Sequence, residues 1–536
     1  MASIERDIQD DWITGGRKFP FQDAFAGYLA QARKRANWPK RDSVFGPVAR
    51  RQLEEYLVSR LTFIAARVLG QEFYAFRFRS DISTAFDAIQ DARPESFVIY
   101  RSFVDQLASL HLDDLLSKYP HLRRHLTDCA SQWVAEVGEI ETRLRRDIEK
   151  LAQKTSIVGP CEQVVQKLLP GLSDPHNHGR AVALLSFRGG GHVIYKPRSV
   201  AGEAVFDELV ARLNTKSPPA RLRSAWVVPG DEYGWMNYMR ASEGAARSYA
   251  YGCVLALLHV LCATDIHHEN VVTVDGQAIP IDLETILNHT TYARLPASRV
   301  PSETGDVLHT GFLPRWRTTA SGEVYDGSTF GLDLSQLTQV QIWHRLNCDQ
   351  MTIGQAEHGK GPRLLSRSKA ALEADRDAVC SGFEDYYDFI LNERQALTSD
   401  PQLLAKMDRV CPRALLRDTD TYAAAIRYLL SPSFLMGDQL QNEFFERLKQ
   451  AWSAQGDGIL GEAVGDEIRH LRRLDIPYLT TAHLQTECGI HRSNVFRRQL
   501  DSLGKRDRNR QLRSIRDAFS QRFGLQNDGS VEGSRA

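Results

Sequence analysis

Apolar positions near the start of the chain recur with a helical period. Leu53, Tyr56, Leu57, Leu61, Ile64, Ala65, Val68 and Leu69 follow at spacings of three and four. That spacing puts them on one helix face, and Gly70 then predicts the helix stop. Pro120 suits the first turn of another helix. On it Trp133, Val137, Ile140, Leu144, Ile148 and Leu151 form one long stripe. The period changes near Gly171. Ala181 to Phe187 and His192 to Lys196 are short β-prone runs around Arg188-Gly-Gly-Gly191, which predicts a hairpin. A helix follows, with Phe206, Leu209 and Leu213 on one face. A strand pair is predicted at Ala225 to Val228 and Tyr233 to Met239, around Pro229-Gly230. An apolar helix ending near Ala263 comes next. Val271 to Val274 and Ala278 to Leu283 then flank Asp275-Gly276, a hairpin turn dipeptide. From about Thr290 to Gly361 the chain reads as polar loop, and from Lys369 onward as mainly helix with a frayed last dozen residues.

Composition narrows the class. The 536 residues are 42% hydrophobic and 25% charged, which predicts packed cores and more than one domain. Lys+Arg and Asp+Glu both number 67, so the net charge is zero. That balance excludes binding to nucleic acid or anionic membrane through bulk charge. The eight cysteines (Cys129, Cys161, Cys253, Cys262, Cys348, Cys380, Cys411 and Cys488) form no CxxC pair, so no zinc ribbon and no dithiol redox motif is present. The N-terminal residues lack an apolar signal region, and the longest apolar run, Tyr251 to Ala263, is too short to span a bilayer. The expectation is a cytoplasmic protein with reduced thiols and no membrane span.

Polar chemistry is densest between residues 174 and 284. Four pieces carry it: Ser173-Asp-Pro-His-Asn-His-Gly179, Tyr195-Lys-Pro-Arg-Ser199, Thr264-Asp-Ile-His-His-Glu-Asn270 and Ile281-Asp-Leu-Glu-Thr285. Asp265 and Asn270 have the spacing of a kinase catalytic loop, where the Asp accepts the substrate hydroxyl proton and the Asn binds metal. Asp282 follows a short hairpin, at the position of a kinase's metal-binding Asp. Lys196 sits on an upstream strand, as the phosphate-holding lysine does. Phosphoryl transfer needs such groups because its transition state spreads negative charge over oxygens that the protein must position and neutralise.

Taken singly, each piece has a bland reading. An Asp-x4-Asn is usually a turn or cap, and a strand lysine is usually solvated. Their order along the chain is what argues for chemistry. Gly189-Gly-Gly191 reads as a turn. Gly354-Gln-Ala-Glu-His-Gly-Lys360 mimics a phosphate loop, but Gly361 replaces the required Ser/Thr and no strand precedes it, so it reads as a loop. Asp174, His176 and His178 with His267 and His268 could form a metallohydrolase shell, a reading that leaves Lys196 and Asn270 without a role.

Together these motifs resemble the dehydratase domain of type II lanthipeptide synthetases, the LanM family. The matching residues are Asp174-x-His176, Tyr195-Lys-Pro-Arg-Ser199, Thr264-Asp-Ile-His-x-Glu-Asn270, Ile281-Asp-Leu-Glu-Thr285 and Arg413-Ala-Leu-Leu-Arg-Asp-Thr-Asp-Thr-Tyr422. Weaker matches are Lys118-Tyr-Pro-His-Leu122, Gly311-Phe-Leu-Pro314 and Asp475-Ile-Pro-Tyr478. The likeness runs from about residue 20 to 525, in the family's order.

The resemblance implies an α+β fold with a lipid-kinase-like core, a small antiparallel sheet plus helices, and extensive N- and C-terminal helical additions. On that view residues 1–160 are an N-terminal helical region and 161–300 the kinase-like catalytic core. Residues 301–368 are a loop-rich, activation-type segment, and 369–536 a mainly helical region carrying elimination residues. It implies ATP- and Mg²⁺-dependent phosphorylation of Ser and Thr in a precursor peptide with a leader, then phosphate elimination to dehydroalanine or dehydrobutyrine. Asp265 would be the base, with His267 supporting its loop. Lys196 would contact ATP phosphates, and Asn270 and Asp282 would hold Mg²⁺ with Glu284 near them. Arg413 and Thr419 would serve elimination, and Asp174 and His176 would join them in the active site. The family's zinc-dependent cyclase domain is not expected in this sequence, which reads as either a stand-alone dehydratase or an excised domain. Cys488 and His491 are a solitary pair, so no zinc is expected and rings would be left to a separate cyclase. A kinase without elimination, and a non-catalytic peptide-binding partner, are the competing expectations.

Overall fold

The computed structural model describes residues 18–38, 42–83, 94–107, 112–155, 161–242, 248–288, 305–314, 316–318, 324–326, 328–329, 340–356, 369–417, 419–453, 460–481 and 491–528. Its secondary structure is mixed, with many helices and small antiparallel sheets, in agreement with the expected α+β class. The chain forms two compact units, each discontinuous in sequence. The first comprises Met1–His192, Gln339–Glu357 and Arg417–Pro477. The second comprises Val193–Thr338, His358–Leu416 and Tyr478–Ala536.

In the first unit the helices Pro47–Ser80 and Pro120–Lys154 both begin on proline, whose missing N–H costs nothing in a first turn. Their apolar stripes are buried: Leu53, Leu57, Leu61 and Val68 on one, Trp133, Val137, Ile140 and Leu144 on the other. Trp133 Nε1 donates to the Leu53 carbonyl at 2.8 Å, so the large ring is packed without an orphaned donor. The stop expected at Gly70 does not occur, because the helix continues to Ser80. Gly70 makes room for a neighbour: a Cβ there would lie 2.6 Å from the Trp343 indole. Trp343 belongs to the strand Val340–His344, which pairs antiparallel with Thr352–Ala356. Strands Val165–Leu169 and Ala183–Phe187 form another antiparallel pair, with buried Leu168 opposite Leu185.

In the second unit the strand His192–Lys196 pairs with Gly234–Asn237, which pairs in turn with Val227–Pro229, all antiparallel. Tyr195 stands opposite Trp235, and their rings are 5.0 Å apart. The helix Ala201–Asn214 follows, with Phe206, Leu209 and Leu213 buried as expected. The helices Ser248–Val260 and Lys369–Thr398 cross at two glycines. A Cβ on Gly252 would strike the Val379 carbonyl, and one on Gly382 the Tyr249 carbonyl. Around that crossing lies one hydrophobic core that includes Val205, Leu257, Phe383, Phe496 and Phe519. The Asp275-Gly276 turn has φ of 49° and 76°, both left-handed, as the two-residue turn joining Val271–Val274 to Gln277–Pro280 demands.

The stretch from 290 to 361 is not loop throughout. It holds a 3₁₀ turn at Val307–Thr310 and the strand pair Trp316–Thr318 with Val324–Asp326, besides the pair at Val340–Ala356. Gly354 and Ala356 of the phosphate-loop mimic lie in the strand Thr352–Ala356, whereas residues 357–361 lie outside the described residues. Cys488 and residues 529–536 of the expected frayed tail also lie outside them. No described helix is long and apolar enough to cross a membrane.

Candidate active site

Lys196 ends a strand whose Val193 and Tyr195 point into the core, and it is itself buried. Its Nζ donates to Glu203 Oε1 at 2.9 Å, and the two side chains are 4% and 3% exposed. Nζ also donates to the Ile281 carbonyl and lies 4.0 Å from Asp282 Oδ2. Glu203 enters from the first turn of the helix Ala201–Asn214, where a carboxylate is favoured by the helix dipole. The helix can approach because residue 202 is glycine: a Cβ there would strike the Leu283 carbonyl, between Asp282 and Glu284.

Two arginines complete the array. Arg198 Nη2 donates to Glu203 Oε1 at 2.8 Å and to Asp282 Oδ1 at 2.5 Å, and its Nε is 2.9 Å from Glu284 Oε2. Arg413 Nη1 donates to Glu284 Oε1 at 2.6 Å, and its guanidinium lies 5.1 Å from the centre of the Tyr478 ring. Three cations therefore face three carboxylates. Burial alone would raise the Glu203 carboxyl, but Arg198 and Lys196 outweigh it and hold the group at about 2. Glu284 is likewise lowered: burial opposes the shift, and Arg413 and Arg198 prevail. Asp282 goes the other way, because burial beside Glu284 and Glu203 outweighs Arg198 and Lys196.

The catalytic-loop candidates form a second cluster in this unit. Asp265 has φ of 60°, a strained left-handed conformation for a non-glycine residue. The Asn270 amide nitrogen donates to the Asp265 carbonyl at 2.8 Å and lies 3.2 Å from His267 Nε2, so Asn270 ties the loop together. Ile266 N–H donates to the Thr310 carbonyl at 2.7 Å. Burial lowers the Arg413 pKa, but Glu284 outweighs it and, with Tyr478 and then Asp265, raises the group above its ordinary value.

Asp174, His176 and Thr419 belong to the first unit. His176 Nδ1 lies 2.8 Å from the Ile476 carbonyl. Thr419 opens the helix Thr419–Leu429, beside Arg417, whose Nε donates to the fully buried Glu467 at 2.7 Å. Arg413 and Thr419, grouped by sequence, thus fall in different units. Asp174, His176 and His178 are likewise in a different unit from His267 and His268. Among the described residues no group of three or more His, Cys, Asp or Glu side chains could hold a metal ion. Glu284, expected beside the metal ligands, has both oxygens taken by guanidinium groups.

Arg198, Glu203 and Tyr478 have no role in the sequence reading. Glu203 carried a signal. It lies three and seven residues before Phe206 and Val210, on the apolar face of its helix, where an acid needs a buried cationic partner. Arg198 and Tyr478 stood inside matched motifs, but nothing local marks a guanidinium that bridges three carboxylates.

The second unit of this α+β chain thus buries a lysine–glutamate pair and seats two arginines on an Asp-Leu-Glu segment. The chain belongs to the family described as "Domain of unknown function (DUF4135)", which matches residues 119–482. It is also similar to the "Lacticin 481/lactococcin biosynthesis protein LcnDR2" of Lactococcus lactis subsp. lactis, with 22% identity over 409 residues. That alignment covers 71% of this chain and 42% of the relative, so the chain spans less than half the relative's length.

Proposed function

We propose that this chain modifies a ribosomally made precursor peptide as a lanthipeptide dehydratase, phosphorylating Ser and Thr with ATP and then eliminating phosphate. The observation that carries the reading is the buried Lys196–Glu203 pair with Asp282 at 4.0 Å from the lysine. A lysine held by a helix glutamate is the arrangement with which kinases contact nucleotide phosphates. The lacticin relative's name supports a peptide substrate.

In this reading Asp265 takes the proton of the substrate hydroxyl as that oxygen attacks the γ-phosphorus, and ADP leaves. Lys196 steadies the nucleotide phosphates. Asp282 and Asn270 offer hard oxygen donors, which suit Mg²⁺. When bound there, the ion neutralises phosphate charge. In the second half-reaction a base removes the α-proton, the double bond forms, and phosphate departs with the electron pair of the C–O bond. Arg413 suits that departing dianion because a guanidinium can bind two oxygens at once.

The test uses a synthetic precursor peptide with a leader and a Ser/Thr/Cys-rich core. Asp265→Ala and Asp282→Ala should each consume almost no ATP with that peptide and yield neither phosphorylated nor dehydrated product by mass spectrometry. Turnover like wild type in either variant refutes the reading.

A further inference from the structure

The segment Ser173–Gly179 contains a strained turn. His176 and Arg180 exchange backbone hydrogen bonds at 2.9 and 2.8 Å, closing a three-residue loop. All three residues inside it have positive φ: Asn177 at 44°, His178 at 72° and Gly179 at 75°. Two of them are not glycine, and consecutive left-handed residues survive only where surroundings over-determine them. Successive amides in such a turn point to one side and form an anion-binding concavity. Here the anion is internal. The Asp475 carboxylate accepts from His178 N–H through Oδ2 and from Gly179 N–H through Oδ1, both at 2.7 Å. Asp475 is 2% exposed, so this seat is sealed from water. Ile476 N–H donates to the Pro175 carbonyl at 3.0 Å, and the Ile476 carbonyl lies 2.8 Å from His176 Nδ1.

We infer that Asp475 is a positioning residue: its carboxylate holds the Asn177–Gly179 turn so that His176 Nδ1–H donates to the Ile476 carbonyl and Nε2 becomes the acceptor nitrogen of that ring. The tautomer follows from the partner, since a carbonyl oxygen only accepts. The consequence for catalysis rests on the proposed function, in which His176 belongs to the active site. An imidazole whose Nδ1–H is tied to the backbone can take a proton only at Nε2, and its plane is fixed by the same bond. Asp475 reaches no reacting atom in this account. It acts on His176 through the turn.

Two measurements test this. The first needs no substrate. Nitrogen-15 NMR of uniformly labelled full chain, with His176 assigned by loss of its signals in His176→Gln, should find the Nδ1–H tautomer in wild type. An Nε2–H tautomer overturns the inference even if Asp475→Asn does not fold. In Asp475→Asn one amide donor replaces an acceptor oxygen opposite a backbone N–H, so His176 should shift toward a mixed tautomer while the melting curve stays cooperative. The second measurement reads the same synthetic precursor peptide by mass. His176→Ala and Asp475→Asn should lose dehydrated product to similar extents, about 10- to 100-fold, as small displacements of a catalytic group do. Asp475→Glu, which keeps the charge, should recover part of it. If His176→Ala is impaired and Asp475→Asn is not, the positioning role is wrong. If His176→Ala behaves as wild type while the tautomer is as stated, the positioning stands and the active-site reading of His176 fails.

Discussion

Glu284 and Arg413, 129 residues apart in the chain, are joined twice: by their side chains at 2.6 Å and by the Arg413 N–H to the Glu284 carbonyl at 2.7 Å. The second bond belongs to the backbone and survives side-chain substitution. Arg413→Ala therefore keeps the segment in place but leaves Glu284 with Arg198 as its cationic partner. Phosphoryl transfer should continue, while departure of phosphate loses a charge-assisted partner worth roughly 1.5–3 kcal/mol. Mass spectra of treated peptide should show phosphate adducts where wild type shows loss of water. Thr419→Ala, in the other unit, should give the same spectrum. Unmodified peptide from both variants would mean that neither serves elimination.

Glu203→Gln removes the charge that stabilises Lys196 and part of the hold on Arg198. Breaking a buried pair by one partner costs about 3–5 kcal/mol. The melting temperature should drop by several degrees, and ATP consumption with peptide should fall at least tenfold. Glu203→Asp, which retains the charge on a shorter stem, should lie between the two.

Glu136 offers a pH-dependent test in the first unit. Burial raises its carboxyl to about 7, despite Arg60 and the backbone N–H of Ala181. A group whose folded pKa lies above its unfolded value of 4.5 stabilises fully below pH 4.5, and that contribution is lost as pH rises through 7. The loss amounts to about 3 kcal/mol. Thermal melts from pH 5 to 8 should fall more steeply for wild type than for Glu136→Gln, which carries no titrating proton. Parallel curves would place the Glu136 pKa near its ordinary value.

Gly202→Ala tests the approach of the Glu203 helix to the Asp282–Glu284 segment. The added methyl meets the backbone oxygen of Leu283, which cannot swing aside as a side-chain tip can. Helix propensity alone would make this change stabilising by up to about 1 kcal/mol. The expected result is the opposite sign, a loss of about 1–3 kcal/mol from overpacking, read by denaturant titration.

Much of the second unit was legible from local pattern. The hairpin at Asp275-Gly276 and the apolar face of Phe206, Leu209 and Leu213 follow from periods of two and 3.6 and from turn chemistry, all of them local. Lys196, Asp265, Asn270 and Asp282 stood out by residue type and order; Lys196 lies 4.0 Å from Asp282, and Asn270 donates to the Asp265 carbonyl. Gly70 was misread because its role depends on Trp343, more than 270 residues away in sequence. The ion pairs of Glu284 were hidden for a similar reason: its neighbours Arg198 and Arg413 come from two separate segments. The Asp475 seat could not be seen either, because a carboxylate's acceptance of distant backbone amides leaves no periodic trace.

The interleaving of the two units has a consequence for synthesis. Val205 and Phe519 share one hydrophobic core. A ribosome emitting this chain must therefore deliver the segment Arg417–Pro477, which belongs to the other unit, before the last helix can reach that core. Until then the apolar face of the helix Ser248–Val260 lacks part of its cover, and loop-closure entropy over some hundreds of residues opposes early docking. Nascent chains released before residue 500 should be captured by holdase chaperones and cut readily by protease, whereas the same chains carried to their end should resist both.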